Sequence, residues 1–114
     1  MQRGDIVLMN FPFTDFSSDK RRPEVVVSGK LSNKNDVIIA FISSSIPIKP
    51  EATDYQLSID HKDFLMTGLK KTSIIKLDKL ATINVSIVLG NIGKLSDHIM
   101  AEIDPRLKLA LALK

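Results

Sequence analysis

Short apolar runs, most of them rich in β-branched residues and separated by turn-forming segments, extend through the first 95 residues of the chain. Each run is long enough for one strand and most are short for a helix, so the pattern predicts a mainly β fold. The runs that we assign to strands cover residues 4–11, 24–28, 37–42, 55–59, 72–82 and 86–95. We expect Gly90 and Gly93, inside the last run, to mark bulges or sharp corners.

The period of the pattern changes in the C-terminal segment. Apolar residues recur there every four positions, on one face of a helix, at Ile99, Ile103, Leu107 and Leu111. Ser96 is expected to cap this helix and Asp97 to lie in its first turn. Because Pro105 has no N–H and clashes with the preceding turn, we expect two short helices or one sharply kinked helix. Strands and helix together predict a small β-barrel closed by a helical cap.

Length and composition bound the class of protein. A chain of 114 residues fits a single domain, spanning residues 1–114. The absence of cysteine excludes disulfides, thiolate zinc sites, iron–sulfur clusters and a cysteine nucleophile. The first ten residues carry charges where a signal peptide needs an apolar run, and no stretch approaches the ~18 apolar residues of a membrane span. We therefore expect a cytoplasmic protein with no membrane contact.

Positive charge is concentrated at one place, Lys20-Arg21-Arg22. The net charge of +3 favours an anionic partner weakly and does not identify one. Pro23 restricts Arg22 to extended backbone, and a guanidinium so anchored can give two parallel hydrogen bonds to phosphate oxygens. The alternative is a solubilising charge run beside a loop, which edge strands often carry.

Three serines, Ser43, Ser44 and Ser45, follow the third apolar run. If the second and third runs form a hairpin, the start of one and the end of the other lie at the same rim. Arg22 and Ser43 then meet, and a guanidinium beside a hydroxyl makes a plausible clamp for a phosphate or an oxyanion. The alternative is that the serines merely begin a loop.

Other common site motifs are missing from the sequence. It contains no Gly-rich phosphate loop and no HExxH, and it has no Trp for a platform of stacked aromatic rings. A metal could be imagined at Asp60, His61 and Asp63, but we interpret this segment as a solvated loop. Neither His61 nor His98 is placed as an evident general base.

Four blocks, in this order along the chain, resemble one known family: GDIVLMNFPFTD at residues 4–15, KRRPEVVVS at 20–28, VIIAFISS at 37–44 and IIKLDKLATI at 74–83. With the closing IGKLSDHIMAEID and LKLALAL segments, the sequence resembles the MazF/PemK family of toxin endoribonucleases from bacterial toxin–antitoxin pairs. The resemblance spans nearly the whole chain.

This resemblance implies an SH3-like β-barrel with a short C-terminal helical cap, assembled as a homodimer. It implies a toxin that cuts single-stranded RNA without a metal or other cofactor. Arg22 matches the family's catalytic arginine, which precedes the proline of its RP motif. Ser43 matches the catalytic Thr or Ser after the third strand, with Ser here where better-known members have Thr. The implied reaction is attack by the ribose 2′-OH, giving 2′,3′-cyclic phosphate and 5′-OH ends.

The resemblance also implies an RNA path beside the catalytic pair, and five residues are expected to line it: Thr14, Asp15, Lys20, Arg21 and Ser44. Asp15 could accept hydrogen bonds from base amino groups, and Asp78 could do the same or could order the rim. A cognate antitoxin is expected to occupy this groove with a disordered, acidic tail that folds on binding.

Two other functions stay open on the sequence. One is a non-catalytic module that binds RNA or protein, since no proton acceptor for the reaction is evident. The other is a metal-dependent nuclease that uses Asp60, His61 and Asp63.

Overall fold

Residues 1–10 and 21–114 are described by a computed structural model of the chain. They form six strands, two short 3₁₀ turns and one α-helix. The strands are β1 (Asp5–Asn10), β2 (Arg21–Val26), β3 (Asp36–Ser43), β4 (Asp54–Leu57), β5 (Ser73–Asn84) and β6 (Val88–Lys94). The 3₁₀ turns cover Leu65–Thr67 and Val85–Ile87, and the helix α1 covers Asp97–Ala110.

All six strands belong to one antiparallel sheet of order β4-β5-β3-β2-β1-β6. The first half of the long strand β5 lies between β4 and the end of β3, and its second half pairs with the start of β3. The two halves are separated by a bulge in β5 opposite Ala40 and Phe41. The predicted mainly β fold with a C-terminal helical cap is confirmed. Among the described residues β4 and β6 are the sheet's edges, so hydrogen bonding does not close the barrel.

Buried clusters lie on both faces of the central strands, which explains why Ile6 to Met9 of β1 and Val37 to Ile42 of β3 are apolar without alternation. Along β1, Ile6 contributes to a cluster under α1 while its neighbour Val7 contributes to a second cluster on the opposite face. The first cluster holds most of the large side chains: Ile6, Val25, Tyr55, Leu57, Ile75, Leu77, Ile99 and Ile103. The period of two along each strand therefore sorts residues between two cores.

The helix α1 is continuous through Pro105, so the predicted alternative of two short helices was wrong. Pro105 and Ala101 are both exposed, and water can therefore take the place of the N–H that the carbonyl of Ala101 loses. The predicted N-cap is confirmed, since the Ser96 hydroxyl accepts the N–H of Ile99 at 3.2 Å. No helix within residues 1–10 and 21–114 is long and apolar enough to cross a membrane.

The glycines of β6 lie at bulges, as predicted: the pairing of β6 with β1 shifts register beside Gly93 and again beside Gly90. At Gly93 a Cβ atom would lie 2.4 Å from backbone atoms of Met66 and Thr67. This close approach seats the first 3₁₀ turn directly against β6. Gly68, which follows that turn at φ +72°, packs against Ile92 in the same way.

We expect Gly93→Ala to destabilise the protein by about 3 kcal/mol, because the added methyl group meets backbone rather than a movable side chain. The melting temperature should fall by about 10 °C. Gly90→Ala is the matched control on the same strand, since its two chain neighbours aside, no atom of residues 1–10 and 21–114 lies within 4 Å of its Cβ position. Equal melting temperatures for the two variants would show that the contact between the turn and β6 is loose.

Candidate functional site

Arg22 and Ser43 lie at the same rim of the sheet. Glu24 pairs with Phe41 in the ladder between β2 and β3, and continuing that register by two positions sets Arg22 level with Ser43. Strand β2 begins at Arg21, three residues before the predicted start, so Arg22 is part of the strand and pairs with Met9 of β1. The guanidinium therefore extends from a backbone held by its pairing with β1.

Both residues line one open groove with a volume of about 790 Å³. Its described walls combine three kinds of side chain. The cations are Arg21, Arg22, Lys70 and Lys71. The hydroxyl groups belong to Ser43, Ser44, Ser45 and Ser73. Apolar residues and Gly68 form the remainder of the described surface, the apolar ones being Leu8, Pro23, Ile42, Leu69 and Ile92.

The charge of this groove is positive on its described walls, where four cations are present and no acidic side chain is. Such a surface attracts a polyanion, and its hydroxyl groups can donate hydrogen bonds to phosphate oxygens. Lys70 and Lys71 were missed by the sequence reasoning. In the sequence they are visible as a pair of lysines just before a strand. The pair lies at the groove because the preceding 3₁₀ turn packs against β6.

Ser43 has one hydrogen-bond position already occupied. Its Oγ accepts the N–H of Ser45 at 3.1 Å, which fixes the start of the serine loop. A hydroxyl that accepts one bond keeps its own hydrogen for donation. Ser43 is half-buried and adjoins the groove, so that hydrogen is available to an anion there.

The other predicted site residues fall into three groups. Arg21 and Ser44 line the groove beside the Arg22–Ser43 pair. Asp78 is exposed in the bulged part of β5 and is not among the residues that line the groove. Thr14, Asp15 and Lys20 lie outside the described residues, and their predicted role stays a prediction.

A buried acid, Glu24, was also missed by the sequence reasoning. It is 1% exposed, and its carboxylate accepts the N–H of Ile42 at 3.1 Å. Burial raises the pKa of Glu24 to about 8, against the opposing effects of the Ile42 hydrogen bond and the charge of Arg22. In the sequence it looks like one more charge at the end of a charged run.

The two histidines meet at the start of α1, with ring centroids 6.0 Å apart. His61 Nδ1 accepts the N–H of Asp63 at 2.9 Å, and Asp63 accepts the hydroxyl of the capping Ser96 at 2.7 Å. Asp60, His61 and Asp63 thus belong to the loop that meets the helix start. Across the described residues, no three His, Asp or Glu side chains are grouped to hold a metal ion.

Comparison with known proteins gives a consistent result. A family model described as "PemK-like, MazF-like toxin of type II toxin-antitoxin system" matches residues 2–111. The chain is 24% identical over 114 residues to Endoribonuclease EndoA of Bacillus subtilis (strain 168), covering 99% of this chain and 96% of that protein.

Solved structures share the fold. A mycobacterial endoribonuclease in complex with its cognate antitoxin superposes with a TM-score of 0.76 at 18% identity, over 100% of this chain and 97% of the other. MazF in a MazE–MazF complex (Form-II) from Deinococcus radiodurans superposes with a TM-score of 0.72 at 16% identity, with the same coverage of 100% and 97%.

Proposed function

Because this chain belongs to the PemK-like, MazF-like toxins of type II toxin–antitoxin systems, we propose that it is an endoribonuclease that cleaves single-stranded RNA. The observation that carries the proposal is the groove in which Arg22 and Ser43 lie among four cations. The likeness to Endoribonuclease EndoA over nearly the full length of both chains supports it.

The reaction we propose is transfer within the RNA strand. The ribose 2′-oxygen forms a bond to the adjacent phosphorus, the bond from phosphorus to the 5′-oxygen breaks, and the products are a 2′,3′-cyclic phosphate and a 5′-OH. The 2′-OH gives up one proton and the leaving oxygen takes one. Since DNA lacks the 2′-OH, it is not cleaved.

Arg22 and Ser43 act on the charge that develops at phosphorus. The guanidinium of Arg22 lies against the non-bridging oxygens and neutralises the negative charge of the phosphorane. The hydroxyl of Ser43 donates a hydrogen bond to one of these oxygens, with its Oγ held by the N–H of Ser45. The strand that carries Arg22 and the Oγ of Ser43 are in place before RNA arrives, so little reorganisation of the backbone accompanies the reaction.

The remaining cations bind the strand without reading its sequence. Arg21, Lys70 and Lys71 lie along the groove and contact successive phosphates. Their contribution falls as salt rises, because each phosphate contact releases counterions. Ser44 adds a neutral donor at the same rim, and Thr14, Asp15 and Lys20 extend the path. Asp78 acts outside the groove, on a base or on the rim.

The same groove is the docking place we propose for a cognate antitoxin, whose disordered acidic tail complements the four cations. One structural neighbour is a mycobacterial endoribonuclease in complex with its cognate antitoxin, and another comes from a MazE–MazF structure of Deinococcus radiodurans. The toxin itself is a homodimer and acts in the cytoplasm, where its RNA substrate lies.

A second candidate is a module that binds RNA or protein without cleaving it. The observation that favours it is that no carboxylate or imidazole lines the described part of the groove to accept the proton of the 2′-OH.

Cleavage of a long single-stranded RNA by the purified protein, with EDTA present, separates these candidates. We expect cutting to persist in EDTA, because the described groove residues are cations and hydroxyls rather than metal ligands. Mapping the fragment ends should show 2′,3′-cyclic phosphate and 5′-OH termini. Intact RNA that stays bound would favour the binding module, and cutting abolished by EDTA would contradict the proposed chemistry.

A further inference from the structure

Glu24 is a buried acid whose environment differs from those of the other buried polar residues. Asp54, which is 6% exposed, forms an ion pair with Lys76, and the hydroxyls of Thr67 and Ser73 donate to backbone carbonyls. Glu24 is 1% exposed, and no Lys or Arg of the described residues forms an ion pair with it. A buried carboxyl without a counter-ion is costly and is therefore a candidate for a functional role.

The carboxyl of Glu24 supplies a hydrogen-bond acceptor where the pairing of β2 with β3 ends. Val27 donates its N–H to Ile38, and the alternation of an antiparallel ladder makes Pro23 and Ile42 another pair of this hydrogen-bonded kind. Pro23 has no N–H to give to the carbonyl of Ile42, so that pair can form one ladder bond at most. The N–H of Ile42, on the residue directly before Ser43, donates to the Glu24 carboxyl at 3.1 Å, where a regular ladder would offer it the carbonyl of Pro23.

The charge of Arg22 acts on the Glu24 carboxyl. The two residues are two positions apart on β2 and therefore point to the same face of the strand. The residues opposite Glu24 are Val7 on β1 and Phe41 on β3, neither of them titratable. Beyond Phe41, Lys76 of β5 is engaged by Asp54. Of the described residues, Arg22 is thus the charge that acts on Glu24.

We propose that Glu24 is a positioning residue for RNA cleavage: its buried carboxyl holds the end of β3 beside Arg22 and, while protonated, leaves the charge of Arg22 free for phosphate. This inference rests on the proposed function. Ionisation of Glu24 places a negative charge beneath Arg22, which weakens the attraction between the guanidinium and the phosphate.

The direction of the pH effect follows from the pKa of about 8 that burial gives Glu24. Below pH 8 the carboxyl is mostly neutral and Arg22 is fully effective. As pH rises through 8 the carboxyl ionises, and at pH 9 about a tenth of the molecules keep the proton. Cleavage should therefore decline relative to a variant that cannot ionise.

Glu24→Gln is that variant, because its amide oxygen can still accept the Ile42 N–H while it carries no charge. We expect the ratio of wild-type to variant cleavage rates, measured on one short RNA, to be near one at pH 6.5 and to fall up to about tenfold at pH 9. Glu102→Gln, an exposed carboxyl on α1, is the matched control and should give a ratio independent of pH. A pH-independent ratio for Glu24→Gln would overturn the proposal.

Binding of a 2′-O-methyl RNA, which cannot be cleaved, tests Glu24 separately from catalysis. Fluorescence anisotropy should show that wild-type affinity falls more than Glu24→Gln affinity between pH 7 and pH 9. If the wild type cleaves no RNA at any pH, the proposed function fails while this binding difference still decides the role of Glu24. Equal losses of affinity in the two proteins would reject it.

A titration of the wild type covers the case in which Glu24→Gln does not fold. Carbon NMR of the Glu24 carboxyl should show that bound 2′-O-methyl RNA raises the pKa of Glu24, because binding and ionisation oppose each other reciprocally. An unchanged pKa of Glu24 on saturation with RNA would contradict the coupling.

Discussion

Arg22→Ala should lower the rate of RNA cleavage by about 10²–10³-fold, the usual cost of removing one fixed donor to a developing anion. The loss should fall mainly on kcat, because the charge that Arg22 neutralises is greatest in the transition state. Single-turnover cleavage of a short RNA at saturating protein measures this step directly. Arg22 is half-buried at the end of its strand, so the melting temperature should change by a few degrees at most.

Arg21→Ala is the matched control for this prediction. Arg21 is the exposed neighbour on the same strand and lines the same groove. Its removal should raise KM and reduce the salt dependence of binding, with kcat close to that of the wild type. If Arg22→Ala cleaved RNA as fast as the wild type, or if both variants lost activity equally, our assignment of Arg22 would be rejected.

The meeting of Arg22 and Ser43 could be predicted because it depends on local topology. Two consecutive strands joined by a short connection pair with each other, and their outer ends then share a rim. The chain obeys this rule, and the register of β2 with β3 sets the two residues level. Strand starts were harder to predict, since Pro23 looks like a boundary and lies inside β2.

The cations and the acid that complete the site could not be predicted in this way. Lys70 and Lys71 join the groove because the turn before them packs against β6, where Gly93 leaves space for its backbone. That contact joins residues more than twenty positions apart, and no periodic pattern in the sequence indicates it. The burial of Glu24 was equally hard to predict, because it comes from β1 and β3 on either side rather than from the residues next to Glu24 in the sequence.

In α1, tertiary contacts override the rule that a proline ends a helix. Pro105 predicts a break, yet the side chains around it tie the helix to the sheet. Arg106 donates to the carbonyl of Asp54 at 2.9 Å, and its guanidinium lies 5.2 Å from the centre of the Tyr55 ring. Arg3 forms an ion pair with Asp104 at the same level of the helix. Contacts on both sides of Pro105 therefore hold the helix against the rest of the fold.

Ile103→Ala should destabilise the protein strongly, with an expected loss of about 2–5 kcal/mol in the free energy of unfolding. Ile103 is fully buried and packs in the cluster between α1 and the sheet. Removing three carbons there leaves a cavity that strands on one side and a tethered helix on the other cannot easily fill. A fall of roughly 10–20 °C in melting temperature is expected.

Leu109→Ala separates packing from helix formation in this experiment. Leu109 lies on the same helix but is 56% exposed, so its truncation should change stability by about 0.5 kcal/mol or less. Alanine is the best helix former, and neither substitution weakens the helix itself. A large loss at Ile103 beside a small one at Leu109 therefore measures the contact between α1 and the sheet. Similar small losses at both positions would mean that α1 is a loosely attached cap, and that the sheet maintains the groove without it.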